Sequence, residues 1–206
     1  MTATARAWTL SVLLALTSIA THAADPAAPV PDLGTRGGFL AQLDLDFGGD
    51  EVATVYFEDD DSQDLTAGQG VTVSVGGYFR PIADSSFEID ASIGYKYATT
   101  QAENADINVS RTVMQLGAYY RWPNGFYLGG GLVEHFGAQL NGDGFFEDVK
   151  FDDATGFNVE IGWRWISVHY TDISYSNDLL DFFDQEVDAS HVGLRFTWRF
   201  GQPWTN

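Results

Sequence analysis

The sequence predicts an all-β chain, an eight-stranded antiparallel up-and-down transmembrane β-barrel. Three observations carry that expectation. Segments of about ten residues alternate between apolar and polar side chains, which marks strands with two different environments. The connections between them alternate between short and long, the pattern of barrels that cross a membrane. The chain also opens with the three-part pattern of an export signal. The alternation is clearest at 191–200: Val192, Leu194, Phe196, Trp198 and Phe200 fall on one face, and Gly193, Arg195, Thr197 and Arg199 on the other.

From the amino end, Arg6 supplies a positive region, Trp8 to Ala20 an apolar run, and Thr21-His22-Ala23 small residues at the cleavage positions. Residues 1–23 therefore read as a signal peptide cut after Ala23. The apolar run is too short for a membrane-spanning helix, which needs ~20 residues. Residues 24–37 are a Pro/Ala-rich leader and the entrance to the fold, expected in the periplasm. The eight strands are expected at 38–47, 71–80, 87–97, 111–122, 126–136, 157–165, 166–175 and 192–200, so that the barrel spans 38–200. Each is near the ~9–11 residues that a tilted strand needs to cross a bilayer. Tight connections fall at 81–86, 123–125 and the Trp165/Ile166 junction, and long ones at 48–70, 99–110, 139–154 and 176–190. Both termini then lie on the periplasmic side, with 201–206 a short tail.

Composition narrows the function classes. The chain of 206 residues has no cysteine, so it offers neither disulfides nor thiol chemistry. It carries 29 acidic residues against 10 Lys and Arg, a formal net charge of −19. Nucleic acid is therefore not an expected partner, because phosphate binding needs a basic surface.

The two faces decide between a membrane barrel and a soluble one. The apolar face carries large aromatics on nearly every strand, more than an eight-stranded interior can hold. The polar face is rich in glycine: Gly76, Gly94, Gly117, Gly162 and Gly193. Aromatics gather near strand ends. Phe79, Phe87, Trp122, Phe126, Trp163, Trp165 and Trp198 would form one girdle, and Phe47, Tyr95, Tyr97, Phe136 and Phe157 the other. The apolar face is thus expected outside, against lipid. The inward charges are Asp44, Asp46, Arg80, Glu88, Asp90, Lys96, Arg111, Arg121, Glu160, Arg164, Arg195 and Arg199. Isolated charges in a narrow lumen are costly, so they are expected to pair and to block free diffusion. Arg80, Arg121, Arg164 and Arg199 would sit at the periplasmic end with Glu88 and Asp90. Asp44, Asp46 and Glu160 would lie higher, with Lys96, Arg111 and Arg195 as partners.

The remaining motifs are weaker. The outer loops are acidic, with Glu58-Asp59-Asp60-Asp61 and Asp64 in the first, Asp143, Glu147-Asp148 and Asp152-Asp153 in the third, and Asp178, Asp181, Asp184, Glu186 and Asp188 in the fourth. They read as solvated loops, with divalent-cation binding beside lipopolysaccharide as the sharper alternative; none matches an EF-hand. Phe145-Phe146, Leu179-Leu180 and Phe182-Phe183 put apolar bulk in those loops, either against the rim or toward a partner. Gly129-Gly130-Gly131 lacks a phosphate-loop continuation and reads as room for close approach. His169 and Thr171 share one strand face, a workable base and nucleophile. The pair is distantly similar to the His-x-Ser of the outer-membrane lipid A 3-O-deacylases, but Thr replaces Ser and the parity points inward. A lumen histidine satisfied by a carboxylate is the expectation. His135 and His191 show no metal-ligand spacing, so neither a metal nor another cofactor is expected.

Taken together, the chain resembles the small eight-stranded outer-membrane β-barrel proteins, the group that includes the OmpA membrane domain, OmpX and OmpW. The nearest thing to a motif is the last strand, where His191, Gly193, Phe196, Trp198 and Phe200 match the family's assembly signal, although six residues follow the final aromatic. The resemblance implies recognition by the barrel assembly machinery and an integral outer-membrane location. It implies a non-enzymatic envelope or surface role, with a narrow channel for small solutes as the alternative and lipid modification behind both.

Overall fold

The computed structural model describes residues 37–56, 62–82, 85–102, 105–142, 147–176 and 186–201. The expected signal peptide, the leader up to residue 36, the acidic run 58–61, residues 143–146, the stretch 177–185 and the tail 202–206 lie outside the described residues. Thirteen strands follow in chain order: β1 Gly37–Phe47, β2 Glu51–Tyr56, β3 Ser62–Thr66, β4 Gly70–Phe79, β5 Phe87–Ala102, β6 Ala105–Arg121, β7 Phe126–Asn141, β8 Val149–Lys150, β9 Ala154–Trp163, β10 Ile166–Asp172, β11 Ser174–Tyr175, β12 Val187–Asp188 and β13 His191–Gly201.

Eight of them form the expected barrel, in the order β6-β5-β4-β1-β13-β10-β9-β7, with β7 pairing back to β6. The first and last strands meet antiparallel, so Asp44 stands opposite Arg195. Closure leaves no sheet edge, which lets every strand satisfy its backbone groups without water. The apolar face points outward. Val73, Val75, Leu132, Ile161 and Phe200 are each about 60% exposed, and the girdle residues Trp122, Trp163, Trp165 and Trp198 lie on the same outer surface.

The long connections hold more structure than the sequence suggested. β5, β6 and β7 run 16, 17 and 16 residues, past their expected ends. The hairpin β2–β3, the short β8 and the β11–β12 pair also lie within those connections. Inward parity persists there, but the side chains turn apolar. Leu65, Ala98, Ile107, Val109 and Leu140 form one buried cluster; Ala67, Ala138, Ala154, Ile173, Tyr175 and Ala189 form another. An apolar core thus replaces the polar lumen at the loop end of the barrel.

Two local devices set side-chain direction. Between Ser110 and Thr112 the β6–β7 register shifts, with Gly137 at φ +59°. The extra β7 residue is a bulge with glycine in the left-handed region. It accounts for the irregular alternation of β7: His135 and Ala138 are both buried although three apart. The second device is the β9–β10 connection. Trp163 pairs with Ile166, leaving the two-residue loop Arg164-Trp165, in which Arg164 has φ +56°. Such a hairpin demands a left-handed residue, usually Gly or Asn. Arginine there accepts strain, and its guanidinium lies 4.6 Å from the Trp163 ring centroid. This corrects the lumen assignment of Arg164: the turn begins one residue earlier than expected, so the side chain is exposed and lies on the outer tryptophan.

Candidate functional site

The lumen charges are stacked in levels along the barrel, and the fold brings them together from β1, β5, β6, β9 and β13, with Arg80 just past the end of β4. At the turn end, Glu88 on β5 is fully buried and takes three arginines. Arg121 Nε donates to Oε1 at 2.6 Å, and Arg80 Nε and Nη2 donate to Oε2 at 3.2 Å each. Arg199 Nε lies 3.3 Å from Oε1. Asp90, two residues on and so on the same face, accepts from Arg199 Nη2 at 2.9 Å and lies 3.7 Å from Arg121 Nη2.

At mid-height Arg195 on β13 is completely enclosed. Its Nε and Nη2 reach both oxygens of Asp44 at 2.8 Å, the fork geometry of a bidentate pair. Its Nη1 donates to Glu160 Oε2 at 2.9 Å. Glu160 also accepts from Ser167 Oγ at 2.8 Å, Tyr127 OH at 2.9 Å and Tyr119 OH at 3.2 Å. The Arg121 guanidinium lies 4.1 Å from the Tyr127 centroid and so links this level to the one below. Tyr119 and Tyr127 went unrecognised in the sequence, where aromatics were assigned to the lipid face. Their signal was parity with Gly117, Arg121 and Gly129. The glycines make the room: a Cβ on Gly117 would lie 2.6 Å from the Tyr119 ring, and one on Gly162 would strike the Tyr127 ring.

Above this, Asp46 on β1 lies 2.8 Å from Lys96 Nζ, 3.0 Å from His169 Nε2 and 3.8 Å from His191 Nε2. Lys96 Nζ also donates to His191 Nε2 at 3.2 Å, and His191 Nδ1 donates to Ala189 O at 2.9 Å. His169 therefore has the neighbouring carboxylate that its inward parity suggested, and Thr171 is buried beside it. Sequence spacing gave no hint that residues 46, 169 and 191 converge, because β10 and β13 pair across a long connection and β1 joins them only by closure.

Arg111 departs from the expected pairing. It faces Lys96 directly across β5 and β6, and among the described residues no carboxylate lies within 4.0 Å of it. Its Nη2 donates instead to the carbonyls of Gly68 at 3.3 Å and Gln69 at 3.5 Å. The Tyr175 ring lies 5.8 Å away, and the Tyr175 hydroxyl bonds His135 Nδ1 at 2.5 Å. At the outer rim, Asp188 accepts hydrogen bonds from the side chain and backbone of Ser190, which hold its carboxyl below the usual range.

The model of the outer membrane protein beta-barrel domain family matches residues 11–200. Among solved structures, Ail, the attachment invasion locus protein of Yersinia pestis, is similar at 9% identity and TM-score 0.43, over 80% of this chain and 99% of that one. Ail in complex with the heparin analogue sucrose octasulfate gives 12% identity and TM-score 0.41, over 79% and 97%. The outer membrane protein AlkL in DMPC bilayers gives 15% identity and TM-score 0.37, over 90% and 99%. No curated protein sequence matches.

Proposed function

This chain belongs to the outer membrane protein β-barrel domain family, and we propose that within it the chain is a non-enzymatic barrel closed by its own charges, serving envelope integrity or surface interaction. The observation that carries the proposal is the arrangement around Arg195. A fully buried cation, chelated by Asp44 and held by Glu160, crosses the lumen at mid-height. The Glu88 cluster lies below it, and apolar clusters fill the loop end. An ion crossing such a lumen would have to break several buried pairs, each stabilised by low dielectric.

In this reading both ends of the barrel lie on the periplasmic side, as short turns at that end suggest. The last strand, through His191, Gly193, Phe196, Trp198 and Phe200, is the segment offered to the barrel assembly machinery. The outer-loop carboxylates face the lipopolysaccharide layer, where divalent cations would bridge them to it. Catalysis by His169 and Thr171 is disfavoured because both side chains are buried inside the barrel, away from a lipid substrate.

A second reading, a narrow passage for small solutes, has one supporting feature. On the outer surface, toward the loop end, a groove of about 570 Å³ is lined by Leu45, Val71, Val73, Tyr95 and Tyr97, where a lateral opening would form. Planar-bilayer recording separates the two readings. The closed barrel gives no sustained conductance in symmetric KCl, whereas stable open-channel current at modest voltage would replace it with the passage.

A further inference from the structure

Asp46, His169 and His191 present one ligand atom each, all within 4.8 Å of one another and all buried. Three features point these atoms at a common centre. His191 Nδ1 is bound to Ala189 O, which places the ring proton there and leaves the Nε2 lone pair facing inward. This is the outer-shell contact that commonly orients a ligating histidine. Asp46 Oδ1 is buried and makes no hydrogen bond among the described residues, although His169 Nε2 lies 3.0 Å away. Gly193 leaves the space open, because a Cβ there would collide with Asp46 Oδ1 and lie 2.7 Å from His169 Nε2.

Lys96 borders the same space. Its Nζ lies 2.8 Å from Asp46 Oδ2 and 3.2 Å from His191 Nε2. Asp46 takes part through both oxygens: Oδ2 also lies 3.8 Å from His191 Nε2, and Oδ1 lies 3.0 Å from His169 Nε2. A tetrahedral ion about 2.0–2.1 Å from each ligand would space them about 3.3 Å apart. The observed distances bracket that value.

We propose that Asp46, His169, His191 and Lys96 form a binding site for one borderline divalent transition ion, of which Zn²⁺ is the representative. Three nitrogens and one oxygen suit Zn²⁺, Co²⁺, Ni²⁺ or Cu²⁺ and disfavour Ca²⁺ and Mg²⁺, which require oxygen cages. On binding, the Lys96 ammonium loses one N–H proton to the buffer, and the freed nitrogen pair forms the fourth metal bond as the ion sheds water. Exchange of a proton for the metal keeps two full cations from sharing one buried space.

Calorimetry of the folded barrel in detergent tests this with ZnCl₂, with millimolar MgCl₂ present to occupy the loop carboxylates. One equivalent of Zn²⁺ is expected to bind with release of one proton, read from heats in buffers of different ionisation enthalpy. Affinity should then fall about tenfold for each pH unit of acidification. Co²⁺ should give the strong visible absorption of tetrahedral coordination. His169→Ala and His191→Ala should each weaken Zn²⁺ at least tenfold, and Lys96→Met should keep binding but lose the proton release. Absence of Zn²⁺ binding to the folded wild type, or binding that both histidine variants retain unchanged, overturns the site. Neither result bears on conductance, which tests the closed barrel separately.

Discussion

Arg195 and Arg111 are the same residue type, both enclosed by the barrel, at two heights of one lumen. Arg195 is gripped by two carboxylates through three of its nitrogens. Arg111 is held by two backbone carbonyls through one nitrogen, while its Nε and Nη1 have no hydrogen-bond partner among the described residues. The contrast divides the lumen. From the turn end to mid-height, Arg80, Arg121, Arg195 and Arg199 face Asp44, Glu88, Asp90 and Glu160, so each arginine there has a carboxylate. Toward the loop end, Lys96, His169 and His191 share Asp46, while Arg111 is held by backbone carbonyls and His135 by the Tyr175 hydroxyl. The lower lumen is therefore the region on which the proposed closed barrel rests. The upper one carries unmatched capacity, which is where an exchangeable ligand is to be sought.

Three substitutions sharpen this contrast, each measured as unfolding free energy in urea from lipid vesicles. Arg195→Met should cost the most, about 3–5 kcal/mol, because it strands Asp44 and Glu160 as buried unpaired charges. Gly193→Ala should cost about 1–3 kcal/mol, since the new Cβ overpacks against Asp46 and His169. It should still insert into the membrane, because the outward aromatics of β13 are untouched. Arg111→Met should change stability least, by about 1 kcal/mol or less in either direction, as apolar replacement of a poorly matched buried charge is often neutral. A loss at Arg111 equal to that at Arg195 would erase the distinction between the two regions.

The barrel itself was legible in the sequence because a period of two is unambiguous where the faces differ as much as Val73 and Val75 do from Thr72 and Ser74. Parity also placed Glu88, Asp90, Arg121, Asp44 and Arg195 inside. Which of them pair was not legible, since Asp44 and Arg195 are 151 residues apart and meet only when β1 closes on β13. Arg164 was misplaced because one residue of turn position decides whether a side chain ends a strand or leaves it. Tyr119 and Tyr127 have inward parity, but their aromatic character suits the lipid face as well, so the sequence alone does not decide their side. The turn Arg164-Trp165 carried no Gly, Pro, Asn or Asp, so only the adopted backbone reveals it.

The central claim is the orientation of the faces, with hydrocarbon outside and ionic groups within. Quenching of tryptophan fluorescence by lipids brominated along their acyl chains tests it most directly, in vesicles containing the folded barrel. Trp122, Trp163, Trp165 and Trp198 lie on the outer surface, so strong quenching is expected, greatest for bromines placed nearest the headgroups. Fluorescence that ignores the brominated lipids, from a folded monomer that stays in buffer without detergent, would contradict it.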